Sequence, residues 1–204
     1  MKKATAAVMV FAALGLFAGQ AMAQKSPWLV RARAVHIDPA NKSDPVGGTG
    51  ASDLITVSSK TIPEIDISYF FTPNISAELI LTYPQKHDVM LGGTKIGTFK
   101  HLPPTLSAQY HFMPDAQINP YLGAGINYTN ISGVSLINGL KLESNSWGLA
   151  LQAGVDFKID KNWSVNLDVK KVQIRSDVMA ATGTKISRVK VDPVLIGVGV
   201  GYRF

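Results

Sequence analysis

Residues 192–204 read DPVLIGVGVGYRF. Counting back from the end in steps of two gives Phe204, Tyr202, Val200, Val198, Ile196 and Val194, all apolar. The interleaved set is Arg203, Gly201, Gly199, Gly197 and Leu195, which is small apart from one charge and one leucine. A period of two is the signature of a strand, here with one greasy face and one thin face. The aromatic last residue, with a second aromatic two places before it, turns that strand into something more specific. An outward face that must meet lipid and finish in an aromatic belt is what the closing strand of a bacterial outer-membrane barrel requires.

The other end of the chain agrees. Lys2 and Lys3 precede an apolar core from Ala6 to Ala18, and Ala21-Met22-Ala23 forms a small-x-small cleavage site. Residues 1–23 therefore read as a cleaved signal peptide and residues 24–204 as the mature barrel. Gln24 in place of a cysteine argues against a lipoprotein. The chain has 204 residues, enough for one domain, and no cysteine. With Lys2 and Lys3 assigned to the leader, 18 of the 20 basic residues remain against 14 acidic ones, with no Lys/Arg block. That excludes an electrostatic footprint for nucleic acid. After the leader no apolar run reaches the ~18 residues that suggest a membrane helix. Only helices and closed barrels satisfy their backbone hydrogen bonds in lipid, so a membrane reading of this chain must be a barrel.

Alternation marks seven further strands. Trp28–Ile37 sets Val30, Ala32 and Ala34 against Arg31 and Arg33. Thr61–Phe71 sets Ile65, Ile67, Tyr69 and Phe71 against Glu64, Asp66 and Ser68. Ile75–Tyr83, Leu102–Phe112, Pro120–Thr129, Ser146–Phe157 and Trp163–Lys171 follow the same rule. The segments between them, 38–59, 84–97, 130–144 and 172–189, read as loops, the last with strand character at its base. Long and short connections alternate, as in an eight-stranded antiparallel up-and-down transmembrane β-barrel with both termini periplasmic. Trp28, Phe71, Phe112, Phe157, Trp163, Tyr202 and Phe204 cluster at the inferred periplasmic ends, and Tyr83, Tyr128 and Trp147 at the others, giving two aromatic belts. The alternative is a secreted soluble barrel whose greasy face points inward.

An eight-stranded barrel has room inside for side chains or one small ligand. Its inward set contains Arg31, Arg33, Glu64, Asp66, Glu78, Asp156, Asp168, Lys170 and Arg203. Opposite charges in so narrow a lumen are expected to pair and plug it, because unpaired buried charge costs several kcal/mol; a charged conduction path is the functional alternative. Gly197, Gly199 and Gly201 make room on the thin face rather than forming a dinucleotide turn, which needs a following helix. Two outer loops are apolar for water-facing segments. Val89, Met90, Leu91, Ile96 and Phe99 lie in one, and Val134, Leu136, Ile137, Leu140 and Leu142 in the other. They form either a greasy mouth or strand extensions packed on each other, and extension can itself build the mouth. His36, His87 and His101 lie towards the outer end and read as exposed loop residues, while His111 lies near the inner end. No GxSxG or HExxH pattern accompanies them, so no catalytic, cofactor or metal residue is assigned and the chain is not read as an enzyme.

Taken together, PPTLSAQYHF (103–112), NPYLGAGINYT (119–129), SWGLALQAGVDF (146–157), NWSVNLDVKK (162–171), VDPVLIGVGVGYRF (191–204) and WLVRARAVHIDP (28–39) are similar to the OmpW family of outer-membrane proteins, which includes the AlkL-type alkane-uptake proteins. The resemblance spans nearly the whole mature chain. It implies an eight-stranded barrel with a narrow hydrophobic pathway, and hence uptake of small hydrophobic molecules at an apolar extracellular mouth with lateral release into the bilayer. The expected partners are outer-membrane lipid and lipopolysaccharide, the barrel-assembly machinery through Phe204, and small hydrophobic solutes. A closed structural or surface-interaction barrel is the alternative, and a lipid-modifying barrel enzyme the third reading.

Overall fold

The computed structural model describes residues 26–204, and the signal-peptide reading of residues 1–23 lies outside them. Eight strands close into one barrel: β1 (Trp28–Asp38), β2 (Lys60–Phe70), β3 (Ile75–Leu81), β4 (Thr105–His111), β5 (Ile118–Leu136), β6 (Asn145–Lys158), β7 (Trp163–Val172) and β8 (Val194–Arg203). Each pairs antiparallel with its sequence neighbours, and β8 closes on β1 in an unbroken register from Leu29↔Arg203 to Asp38↔Val194. Closure leaves no barrel edge to satisfy in lipid.

The apolar member of each alternating pair points out. Leu122, Leu149, Leu151 and Val198 are all more than half exposed, while Arg31, Asp66, Ser68, Glu78, Gln109 and Asn166 are buried. A soluble barrel would be the other way round, so the soluble alternative is overturned. At the end that carries Ser26 and Phe204, edge-to-face ring pairs link Trp28, Tyr69 and Phe71, then Trp163, Tyr202 and Phe204, with centroids 4.9 to 5.1 Å apart. Tyr128 and Trp147 pair at 4.8 Å towards the loop end. Such pairs combine large apolar area with a polar tip that suits a headgroup layer.

The segments expected as loops hold most of the surprises. Strand β5 runs on to Leu136, and a hairpin of Gln85–Leu91 and Thr94–Leu102 docks along its extension, with Ile55–Val57 added outside. A second small sheet joins Lys141–Leu142, Arg175–Met179, Lys185–Lys190 and Lys42–Ser43. Strand extension, one of the two readings of the apolar segments, is what the structure has, and its alternation is interrupted where the ladder slips at Val89/Met90 and again between Thr98 and Lys100. One extra residue swaps the faces, so alternation breaks where the strand does not. Gly97 makes the slip feasible. Its φ is +154°, and a Cβ there would lie 2.0 Å from the Ser135 carbonyl oxygen. Leu102, read above as the start of the fourth strand, belongs to the hairpin, since Pro103 and Pro104 carry no N–H for the ladder.

Candidate functional site

The lumen is filled from β1 outwards. Arg31 and Arg33 sit opposite Asp66 and Glu64 in the β1–β2 register. Arg31 reaches Asp66 at 3.2 Å, Glu78 of β3 at 3.5 Å and, across the barrel, Asp156 of β6 at 2.8 Å. Arg33 reaches Glu64 at 3.2 Å, Asp66 at 2.5 Å, Glu78 at 2.9 Å and Asp168 of β7 at 3.5 Å. Lys170 joins Glu64 at 2.7 Å and Asp168 at 3.2 Å. Neutral groups complete the shell: the Tyr121 hydroxyl and Gln152 Nε2 donate to Asp168 at 2.7 and 2.8 Å, and Asn166 Nδ2 donates to Asp156 at 2.8 Å. All the charged side chains in this network are 0–6% exposed. Planar guanidinium forks serve here because each engages several carboxylates at once.

The glycines of β8 bed the arginine stems. A Cβ at Gly199 would lie 2.7 Å from Arg33 Cγ, and one at Gly201 3.2 Å from Arg31 Cγ. On β6 a Cβ at Gly154 would lie 2.3 Å from the Tyr121 ring. Arg203 is the exception among the nine charged positions. Its register partner on β1 is Leu29, and its guanidinium lies 4.0 Å over the Phe70 ring while Nε donates to the Ser26 carbonyl at 3.0 Å. It stands at the terminal end of the lumen, apart from the network. The network separates a 40 Å³ cavity bordered by Asp156 and Arg203 from a 20 Å³ void bordered by Glu64 and Lys170.

Above that void the two small sheets and the extension of β5 face each other across an apolar cavity of about 50 Å³. Ser176 is the one polar member among sixteen lining residues. Val89, Leu91, Ile96, Phe99, Leu136, Leu140 and Leu142 line it. The remaining expected residues do not: Val134 packs against the same apolar cluster without reaching the cavity, Met90 alternates away from Val89 and Leu91, and Ile137 is 48% exposed. Ile131 on the β5 extension adds to it, and Val46, Ile55, Val57, Val178, Ile186, Val189 and Val191 complete the lining from segments 38–59 and 172–191. Their signal was present as the short alternations Ile55/Val57 and Val189/Val191, each too brief to stand out beside the barrel strands.

His87 and His101, expected as exposed loop residues, are buried, and His111 is buried near the inner end; of the four histidines only His36 is exposed. His111 bonds Ser76 at 3.2 Å and Asn119 at 3.0 Å inside the barrel. His87 and His101 lie beyond the Tyr128–Trp147 belt, since His101 pairs with Ile131. The hairpin places both on one face, and their rings stack 4.7 Å apart at 13°. Burial pushes His101 down to about 3, with neighbouring His87 and Lys60 adding to it. Burial also lowers His87, against the opposing effect of its bond to the Ser58 carbonyl. Both rings are therefore neutral at pH 7. Between about 6.5 and 3 an opened hairpin takes up protons that the closed one refuses, so closure weakens as pH falls through that window. At pH 4.5 the loss from His101 is expected on the order of 3 kcal/mol. Hydrogen exchange of residues 85–102 at pH 4.5 and 7.5, corrected for intrinsic rates, reads it. His101→Phe should flatten most of the difference.

A sequence model of the OmpW family matches residues 24–204. The chain is 44% identical over 187 residues to the uncharacterized outer-membrane protein y4mB of Sinorhizobium fredii, covering 88% of this chain and 80% of that one. It is 34% identical to outer membrane protein W of Escherichia coli over the full length of both. Among solved structures, the outer membrane protein OprG from Pseudomonas aeruginosa superposes with a TM-score of 0.77 at 28% identity, covering 89% of this chain and 97% of that one.

Proposed function

From the premise that this chain belongs to the OmpW family of integral outer-membrane β-barrels, we propose that it admits small apolar molecules at the loop end and releases them sideways into the bilayer. A small-molecule channel is consistent with the family. The finer reading rests on one observation: an apolar cavity stands above a network of buried ion pairs that fills the lumen. An apolar solute drawn into the cavity gains by leaving water. Continuing down the axis would bring it against buried, mutually bonded charges that no apolar group can replace. The lower-cost exit is through the wall, into hydrocarbon.

In this reading the loop end faces outwards, the termini face the periplasm, and residues 24–204 are the mature chain. Exposed Lys42, Lys86, Lys95, Lys100, Lys141 and Lys185 around the loop end suit the phosphates of lipopolysaccharide. Phe204, 60% exposed beside Trp28, suits recognition by the assembly machinery. The second reading, a closed surface barrel, is favoured by size. The cavity holds about 50 Å³, whereas an apolar cavity known to take up benzene measures ~150 Å³, so transport requires the two small sheets to part.

Uptake of octane and of a small sugar by cells with and without the protein separates these readings. Faster octane uptake with sugar unchanged is the expected result. Unchanged rates for both favour the surface barrel. Faster sugar uptake shows that the plug does not seal.

A further inference from the structure

Three neighbouring side chains at the foot of the mouth are unsatisfied. Gln85, His87 and His101 are 0%, 1% and 2% exposed, and among the described residues Gln85 Oε1, His87 Nε2 and His101 Nδ1 have no hydrogen-bond partner. They form one group. Gln85 and His101 face each other in the hairpin register, His87 follows Gln85 on the same face, and the two imidazoles stack.

What two of these atoms want is set by their other ends. Gln85 Nε2 donates to the Tyr83 carbonyl at 2.8 Å and to Thr82 Oγ1 at 3.3 Å, which orients the amide and leaves Oε1 as an acceptor. His87 Nδ1 lies 2.7 Å from the Ser58 carbonyl oxygen. A carbonyl only accepts, so Nδ1 carries the proton and Nε2 of the neutral ring is an acceptor. Buried acceptors without a donor are rare and costly. Stacked rings do not suit a shared metal ion, which would have to lie near both ring planes about 2.0–2.1 Å from each nitrogen. The group calls for a hydrogen-bond donor.

Its place says which kind. Phe99, with its ring centroid 5.9 Å from each imidazole, lines the apolar cavity. His101 lines the void beneath, which is bordered by Glu64 and Lys170 of the plug. The trio therefore stands where the apolar space ends and the polar lumen begins. The geometry points to a hydrogen-bond anchor: Gln85, His87 and His101 receive the hydroxyl of a molecule whose apolar body lies in the mouth, so that the favoured cargo is an apolar alcohol rather than a bare hydrocarbon. This deepens, and rests on, the mouth reading above. Specificity follows because a site with buried acceptors discriminates against an analogue that lacks the donor.

The test uses the full chain in lipid nanodiscs, with empty nanodiscs as the partition control. Two isomers of the same composition are titrated: 1-octanol, which has a donor, and 1-methoxyheptane, which has none. The expected result is about tenfold tighter binding of the alcohol. That preference should disappear in His87→Phe and His101→Phe, which keep the ring stack, with ether binding retained. Equal or tighter ether binding by the wild type overturns the anchor and leaves the mouth standing. Binding of neither isomer overturns the mouth itself, and the anchor with it. An alcohol preference that survives in the folded variants also overturns the anchor. Gln85→Met serves as the third variant should a phenylalanine prevent folding, and the wild-type comparison needs no variant at all.

Discussion

Replacing Arg33 with alanine is expected to cost the barrel about 3–5 kcal/mol, the range for stripping one partner from a buried ionic cluster. Arg33 touches Glu64, Asp66, Glu78 and Asp168. Without it those carboxylates have only Arg31 and Lys170 to share, in a space that excludes water. Arg33→Lys restores the charge but not the fork, and should recover about half of the loss. Arg203→Ala is the control. It removes a ring contact and one bond to a carbonyl, and about 1 kcal/mol is expected. Urea unfolding in lipid vesicles, followed by tryptophan fluorescence, gives all three midpoints. A wild-type midpoint for Arg33→Ala would show that the network contributes no stability.

The second large effect is on uptake. Leu136→Asp should lower entry of an apolar solute by about tenfold or more, because a carboxylate in an apolar cavity either drags water in or refuses the cargo. Ile137→Asp, one residue on, should leave it within about twofold, since Ile137 stands out in solvent. The pair controls for charge, position along the chain and expression. Barrel formation, read from the heat-dependent gel mobility of each variant, should be normal in both, because the eight-strand wall closes below this level. Equal uptake in the two variants would move the entry site elsewhere.

The barrel was legible because lipid enforces a strict rule. Each outward residue from Ile65 to Val200 must be apolar and each inward one must fit a narrow polar space, so alternation survives along every spanning strand. The plug was legible for the same reason, apart from Arg203, whose inward position says nothing of what stands opposite it. The mouth was only half legible. Above the membrane no solvent rule separates the faces, and the slips near Val89 and Thr98 shift the pattern by one. Val57 and Val189 lie 132 positions apart and yet line one cavity; that proximity is created by tertiary pairing and leaves no trace in local periodicity. The burial of His87 and His101 was hidden in the same way, since polar residues in an outer segment look solvated until the sheet that covers them is known.

The ion pairs of the plug also constrain how the barrel is made. Arg31 is 125 positions from Asp156, Arg33 is 135 from Asp168, and Lys170 is 106 from Glu64. While the N-terminal strands are being laid down, the two arginines have Glu64, Asp66 and Glu78 within reach, and Asp156 and Asp168 are still to come. A half-built sheet that entered hydrocarbon would carry incompletely neutralised charge, which the bilayer core penalises heavily. The last strand pairing, β8 to β1, seats the Arg31 and Arg33 stems on Gly201 and Gly199 and completes the cluster at the moment the wall closes. Membrane insertion and ring closure are thereby expected to come together, and folding is expected to be slow, because it waits on contacts far apart in the chain.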